Sequence, residues 1–181
     1  MKNSNFSRRT FVKSATLTGG LLLSPSFTME AMANSSNNKK LKLALVGCGG
    51  RGTGAAVQAL RADKDVELVA VADAFKDRIE SSLKSIYEEL DGEIEVKVKE
   101  KNRFVGFNSY QKAIDKADVV ILTTPPGFRP LHFKYAIDND KHVFMEKPVA
   151  TDAAGVRQVL NSAKIATKKK LNVVVGLSLI H

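Results

Sequence analysis

The 181-residue sequence contains one cysteine, no tryptophan and only three histidines. With Cys48 alone, the chain cannot form an internal disulfide, since a bridge needs two thiols. The histidines, His132, His142 and His181, show no paired spacing of the kind that brings ligands onto one metal ion. The sequence therefore predicts no metal site. For Cys48, packing in a tight turn is favoured over a reactive role, because a small residue fits there.

Acidic residues are also outnumbered, with 19 against 28 basic residues and a net charge of +9. Such an excess can indicate a nucleic-acid partner. However, the lysines along residues 97–101 alternate, as on the solvent face or edge of a strand. Lys168–Lys170 ends a predicted helix, where cations complement the dipole. No aromatic residues interleave with these clusters to form a base-stacking surface, so we expect no nucleic-acid partner.

The most informative motif is a glycine-rich turn that follows the apolar run Leu41–Val46. It reads G-x-G-x-x-G, and a helix-compatible stretch and a second apolar run, Val66–Asp73, come after it. Gly47 allows a sharp turn, Gly49 lets a pyrophosphate approach the backbone, and Gly52 lets the helix pack close to the strand. Helix N–H groups then face the phosphates. This order of elements predicts a dinucleotide-binding site.

The acidic residue Asp73 closes the second apolar run, 21 residues after Gly52. A carboxylate at this point accepts hydrogen bonds from ribose hydroxyls and repels a 2′-phosphate. We therefore predict NAD as the cofactor, with NADP as the alternative that Arg78 favours. Gly50 and Arg51, inside the turn, are expected beside the cofactor. The alternative is a glycine-rich surface turn that binds no ligand, but it would not explain why Asp73 closes the second apolar run.

Apolar strands and helix-compatible segments alternate through the rest of the chain. The predicted strands are Leu41–Gly47, Val66–Asp73, Asp118–Thr123, His142–Met145 and Leu171–Gly176. The predicted helices are Thr53–Ala62, Phe75–Leu90, Ser109–Asp115, Pro130–Asn139 and Thr151–Lys168, with Ser109 and either Thr151 or Asp152 as caps. Residues 91–106 are charged, and are either a short strand or an excursion. The alternation predicts an α/β protein with a doubly wound, parallel-sheet Rossmann fold over residues 41–176.

Ligands of such sheets bind beyond the carboxyl ends of the strands. Four features occupy these ends: the glycine-rich turn, Asp73, Thr123–Pro126 and Glu146–Pro148. We therefore expect them to meet in one site.

The N-terminus carries a separate signal. Residues 7–13 read S-R-R-T-F-V-K and match the twin-arginine export signature. Residues 14–27 are modestly apolar, but they are shorter than the roughly 20 apolar residues of a membrane anchor. Ala31–Ala33 reads as a cleavage site, which predicts a twin-arginine signal peptide over residues 1–33 and a flexible leader over 34–40. An ordinary amphipathic helix would not explain the paired arginines.

This signal predicts a periplasmic or otherwise exported protein, with the twin-arginine export machinery as a partner. That machinery carries folded proteins. Free nicotinamide nucleotide has no obvious supply outside the cytoplasm, so we expect the cofactor to stay tightly bound and to be recycled.

The glycine-rich turn, V-A-D at 71–73, T-T-P-P at 123–126 and E-K-P at 146–148 resemble the nucleotide-binding domain of the Gfo/Idh/MocA oxidoreductases. The resemblance covers residues 40–176. It implies an oxidoreductase that acts on a hydroxyl of a small sugar or polyol, with Lys147 as the catalytic residue. It also implies that Lys147 reaches the nicotinamide and that Glu146 helps to hold this cofactor site. Pro148 belongs to the same site, because it biases Lys147 toward an extended backbone that aims the lysine outward from the strand end. The implied cofactor-lining residues at the end of the third predicted strand and just after it are Thr123, Thr124, Pro125 and Pro126.

Family members continue for more than a hundred residues into a second α/β domain that holds the substrate. We expect residues 177–181 to be the truncated start of that domain, and the 181-residue chain alone to be inactive. Two alternatives stay open: an NAD-dependent glycoside hydrolase of the same superfamily, and a dinucleotide-binding module without turnover. Self-association of the full-length form also stays open.

Overall fold

The structure is a computed structural model, and it describes residues 40–91, 96 and 98–176. The predicted signal peptide, residues 34–39 of the predicted leader and residues 177–181 lie outside the described residues. Within the described part of the chain, no helix has both the length and the apolar character needed to span a bilayer.

Six parallel strands form one sheet in the order β3-β2-β1-β4-β5-β6. The strands are β1 Leu41–Val46, β2 Val66–Asp73, β3 Arg103–Val105, β4 Val119–Leu122, β5 His142–Glu146 and β6 Val173–Gly176. The chain runs outward from β1 to β3 and then returns to build β4 to β6 on the other side. Strand order therefore reverses between β1 and β4, and ligands bind to open α/β sheets at such a reversal. The predicted doubly wound parallel fold is confirmed.

In the part of the chain that the structure describes, five α-helices and one short 3-10 turn flank the sheet. They are α1 Gly50–Ala62, α2 Lys76–Leu90, α3 Ser109–Ile114, α4 Arg129–Asp138, α5 Ala153–Lys168 and the turn Glu100–Asn102.

Each face of the sheet has its own apolar core, because successive strand side chains point to opposite faces. Leu43 and Leu45 of β1 pack with α1 and α2, whereas Ala44 and Val46 pack with α3, α4 and α5. Burial on both faces explains why the strands are apolar without alternation. The far edge is different: Val174 and Val175 of β6 are largely exposed.

The predicted elements are present, with ends that agree or differ by up to three residues. The largest difference is at α1, whose predicted start at Thr53 is wrong. The backbone N–H of Thr53 donates to the carbonyl of Gly49 at 2.9 Å, so the helix already begins inside the glycine-rich turn. Ser109 is the first residue of α3 and not its cap, which is Asn108. Asp152 caps α5 as expected, and accepts from the Gly155 N–H at 2.6 Å.

Candidate functional site

A cleft of about 1010 Å³ opens at the carboxyl ends of β1, β2, β4 and β5, where the strand order reverses. Its volume is at the upper end of the range for small-molecule sites. Ten of the thirteen predicted site residues line it: Gly47, Gly49, Arg51, Asp73, Thr123, Thr124, Pro125, Pro126, Glu146 and Lys147. The other three, Gly50, Gly52 and Pro148, lie next to lining residues in the chain. The sheet topology therefore brings together the four sequence features that follow its strands.

Two glycines of the turn are held in close backbone contacts. Gly47 has a φ of +97°, a conformation that favours glycine, and a Cβ there would lie 2.6 Å from the Thr124 nitrogen. A Cβ on Gly52 would lie 2.1 Å from the Gly47 carbonyl oxygen. Thr123 strengthens this junction, because its hydroxyl donates to the same carbonyl at 2.6 Å. The turn is therefore fixed against the end of β4.

The middle of the turn is open. A Cβ built on Gly49 or Gly50 would meet nothing within 4 Å. Among the described residues no side chain caps α1, and its first turn contains no acidic residue. The N-terminus of a helix favours anions through its free N–H groups and its dipole. The arrangement fits the diphosphate of a dinucleotide.

Asp73 lies at one end of the cleft, at the end of β2. One carboxylate oxygen accepts from the Cys48 N–H at 2.7 Å, and the other accepts from the Phe75 N–H at 3.0 Å. Each carboxylate oxygen has a further lone-pair direction. The carboxylate is therefore held by the backbone and can still accept hydrogen bonds from ribose hydroxyls.

Cys48 is buried beside this carboxylate, and its thiol contacts the carbonyl of Ala72 at 3.6 Å. Burial, together with the charge of Asp73, raises the pKa of the thiol to about 12. Since the thiolate is the reactive form, this environment makes the thiol inert.

Glu146 and Lys147 form the opposite end of the cleft. Glu146 is buried, and Arg51 of the glycine-rich turn lies 2.6 Å from its Oε1 atom. Gly176 gives this carboxylate room, since a Cβ there would lie 2.6 Å from the same oxygen. Lys147 is exposed and lines the cleft, and the following bond to Pro148 is cis.

Sequence reasoning missed Arg129, the first residue of α4. It is only 3% exposed, and its two terminal nitrogens donate to the carbonyl oxygens of Thr124 and Pro148. Burial lowers the pKa of the guanidinium, and the nearby charge of Glu146 opposes that shift. The sequence did contain a signal for a special role of Arg129. A cation in the first turn of a helix opposes the helix dipole, so an arginine there is unusual. The predicted start of this helix at Pro130 left Arg129 outside it.

His132 is buried in the wall of the cleft. Its Nδ1 atom lies 3.0 Å from the Thr124 hydroxyl, and its ring stacks on Tyr110 at 4.1 Å between centroids. Burial, and then the charge of Arg129, lower its pKa to about 4. The imidazole is therefore neutral near pH 7, and it orients Thr124 through a hydrogen bond.

Aromatic side chains that the sequence did not single out also line the cleft: Phe75, Phe107, Tyr110 and Phe128. Phe107 and Phe128 are exposed, with ring centroids 6.0 Å apart. Phe107 follows the charged segment 91–106, whose path the sequence left unassigned.

The comparison with known proteins agrees with this geometry. A sequence profile described as "Oxidoreductase family, NAD-binding Rossmann fold", that of the GFO_IDH_MocA proteins, matches residues 41–177. The chain belongs to this family. The predicted NAD-binding Rossmann domain of the Gfo/Idh/MocA oxidoreductases is thereby confirmed.

Solved structures with the same fold include inositol dehydrogenases. Myo-inositol dehydrogenase from Lactobacillus casei, in complex with NAD(H) and myo-inositol, is 22% identical with a TM-score of 0.59, over 76% of this chain and 36% of its own. Apo scyllo-inositol dehydrogenase from the same organism is 21% identical with a TM-score of 0.56, over 77% and 37%. A putative myo-inositol dehydrogenase from Sinorhizobium meliloti 1021 is 26% identical with a TM-score of 0.52, over 76% and 36%.

The chain spans little more than a third of the length of these solved Gfo/Idh/MocA relatives. No curated protein sequence matches it. In the described part of the chain, no three His, Cys, Asp or Glu side chains come together in a way that could hold a metal ion. The features that fit an NAD molecule are the open N-terminus of α1 and the backbone-held carboxylate of Asp73.

Proposed function

We propose that this domain is the nucleotide-binding part of an oxidoreductase that oxidises a hydroxyl group of a sugar or polyol. One observation carries the proposal. A single cleft has Asp73 at one end, Lys147 at the other and the open N-terminus of α1 between them. This arrangement matches the order of groups in a dinucleotide, with one ribose, the diphosphate and then the reactive ring.

The chain's own residues divide the binding task. N–H groups at the start of α1 hold the diphosphate, and the Asp73 carboxylate accepts from the hydroxyls of the adenosine ribose. The other half of the molecule then extends along the sheet edge to the ends of β4 and β5. There Thr124, Pro125 and Lys147 line the cleft. NAD held in this way would supply the acceptor for a hydride from the carbon that carries the substrate hydroxyl.

Lys147 acts at the substrate hydroxyl. The hydroxyl proton must pass to a base, which we assign to the second domain, and the hydride must pass to NAD. The Lys147 ammonium group donates a hydrogen bond to the hydroxyl oxygen and stabilises the negative charge that loss of the proton leaves there. Preorganised charge of this kind acts in the transition state more than in the ground state. His132 is buried in the wall of the cleft with its Nδ1 atom on the Thr124 hydroxyl, so we assign it no role in proton transfer.

The proposed substrate class rests on the solved relatives. Two of the Lactobacillus casei enzymes are described as bound to scyllo-inositol and to myo-inositol, both with NAD(H). We propose that the protein to which this chain belongs also acts on a polyol or a sugar. We also infer that a second domain, beyond residue 176, holds that substrate against the nicotinamide, since orientation supplies much of the rate of such reactions.

Export is part of the proposal. The S-R-R-T-F-V-K motif at residues 7–13 and the small residues at Ala31–Ala33 support passage through the twin-arginine machinery. An exported oxidoreductase has little free nucleotide to exchange with. We therefore infer that the cofactor stays on the protein between turnovers, and that a second substrate would take the hydride back from its reduced form.

The test adds inositols and sugars to the NAD-loaded protein without a second substrate, and measures the NADH that forms on the protein. It compares the 181-residue chain with a version extended through the downstream reading frame. The extended version should form NADH, and Lys147→Ala should slow it by about 100-fold or more. Lys84→Ala is the matched control, because Lys84 is an exposed lysine of α2 outside the cleft.

Two results would contradict the proposal. Unchanged NADH formation in Lys147→Ala would remove the assigned role of the lysine. Cleavage of a glycoside without net NADH formation would instead support the NAD-dependent hydrolase.

A further inference from the structure

Arg129 joins two loops that follow neighbouring strands. Its guanidinium donates one hydrogen bond to the Thr124 carbonyl, after β4, and another to the Pro148 carbonyl, after β5. Pro148 is the residue directly after Lys147. The planar fork of an arginine fixes the direction of both bonds at once, which a lysine cannot do.

A buried guanidinium at this point is costly to the fold. Arg129 is 3% exposed and opposes the dipole of its own helix. Its Nε atom has no hydrogen-bond partner among the described residues. Apolar residues often replace whole buried ion pairs without loss of stability. The fold alone therefore gives little reason for an arginine here, whereas a requirement to hold two loops in register does.

The loops that Arg129 joins belong to one half of the cleft only. Thr124 and Lys147 line the end opposite Asp73, where the nicotinamide half of the dinucleotide would lie. Arg129 makes no hydrogen bond to the glycine-rich turn or to Asp73, the groups that would hold the diphosphate and the adenosine ribose. Its hydrogen bonds therefore act directly on the nicotinamide half, and its effect should be larger there than at the diphosphate and the adenosine ribose.

We propose that Arg129 is a positioning residue that fixes the Thr124 and Lys147 loops around the nicotinamide half of the bound dinucleotide. It touches neither the substrate nor the reacting atoms, and it acts through the two backbone carbonyls. The inference rests on the proposed function, because it needs a dinucleotide in the cleft.

The experiment compares NADH with ADP-ribose, which lacks the nicotinamide ring. Calorimetric titration measures both affinities in the full 181-residue chain and in Arg129→Met. In the unaltered chain NADH should bind more tightly than ADP-ribose. In Arg129→Met, we expect the affinity for NADH to fall by about tenfold and the affinity for ADP-ribose to change by less than about twofold. A role in general folding would lower both affinities together.

Arg103→Met is the matched control. The guanidinium of Arg103 also donates to a backbone carbonyl, that of Val98, but it lies outside the cleft. Arg103→Met should change neither the affinity for NADH nor the affinity for ADP-ribose. Arg129→Lys, which keeps the charge and reaches one carbonyl, should give an intermediate loss of NADH affinity.

Amide hydrogen exchange supplies a readout without ligand. The segment 147–151 should exchange faster in Arg129→Met, while segments of α2 should exchange as in the unaltered chain.

The proposal is wrong if the NADH and ADP-ribose affinities fall in parallel, if neither changes, or if both Arg129 variants lose ADP-ribose binding altogether. Failure of the unaltered chain to bind either ligand has a different meaning, since it would overturn the proposed function itself.

Discussion

Gly52 faces the carbonyl oxygen of Gly47 so closely that a Cβ at Gly52 would lie 2.1 Å from that oxygen. The contact joins the first turn of α1 to the end of β1. It involves backbone on one side and an α-carbon on the other, so no flexible side chain can move aside. The start of the helix is therefore locked to the strand.

Gly52→Ala should destabilise the domain by about 3 kcal/mol or more, because the added methyl group forces the backbone apart. Chemical denaturation measures the change. Gly54→Ala, two residues further along α1, is the matched control, since a Cβ there meets nothing within 4 Å. It should stabilise the helix by about 0.5–1 kcal/mol. Equal effects of the two substitutions would disprove the close contact.

Gly49→Ala separates binding from stability. The Gly49 α-carbon faces open space at the N-terminus of α1, so we expect a change in unfolding free energy of less than about 1 kcal/mol. The methyl group would enter the space assigned to the diphosphate. NADH affinity, measured by fluorescence titration, should therefore fall by about tenfold or more. Unchanged affinity would place the diphosphate elsewhere.

Asp73 should make the domain prefer NADH to NADPH by about tenfold or more, since a repulsion of about 1.4 kcal/mol corresponds to that ratio. Asp73→Asn removes the charge and keeps a carbonyl oxygen that can accept from the backbone, and it should narrow the ratio. Asp77→Asn, which removes an exposed acid of α2 outside the cleft, serves as the control. Tighter binding of NADPH by the unaltered domain would reject this preference.

The glycine-rich turn and Asp73 could be found from sequence because their spacing is local, within one strand-helix-strand unit. The apolar runs also predicted the parallel sheet, because strands that are buried on both faces contain few polar residues. Lys147 could be predicted as a site residue only because the E-K-P sequence around it resembles a family motif. A lysine after a strand is otherwise common on protein surfaces.

Arg129 and the aromatic walls could not be found in this way. The burial of Arg129 depends on two carbonyls that come from loops 5 and 19 residues away. The path of Phe107 depends on β3, which has only three residues and pairs with β2. Tertiary contacts of this kind leave no periodic pattern in the sequence.

The burial of His132 should make the free energy of unfolding of the domain depend on pH. The pKa of this imidazole is about 4 in the folded domain, against about 6.5 for a free histidine. The unfolded chain therefore binds the proton first, and stability should fall as the pH drops from about 6.5 to about 4, by up to about 3 kcal/mol.

Urea denaturation at several pH values tests this dependence. His132→Phe keeps a ring against Tyr110 and cannot titrate, so its stability should vary less over the same interval. An identical slope for the two proteins would assign the pH dependence to other groups.

The twin-arginine signal predicts that export requires both Arg8 and Arg9. A variant with Arg8→Lys and Arg9→Lys should remain in the cytoplasm, while Lys2→Gln, outside the S-R-R-T-F-V-K motif, should be exported normally. N-terminal sequencing of the exported protein should give Asn34 as its first residue. Export of the double variant at the normal level would contradict this pathway.

The exposed edge strand β6 has a practical consequence for work in solution. Its outer backbone groups have no neighbouring strand among the described residues, and Val174 and Val175 present apolar surface beside them. An unpaired edge of this type is a template on which a strand of another molecule can add. Two copies joined there would form one sheet of twelve strands, with six from each copy. Affinities measured on this chain should therefore be collected at several protein concentrations, with a lysine substituted at Val174 to block such pairing.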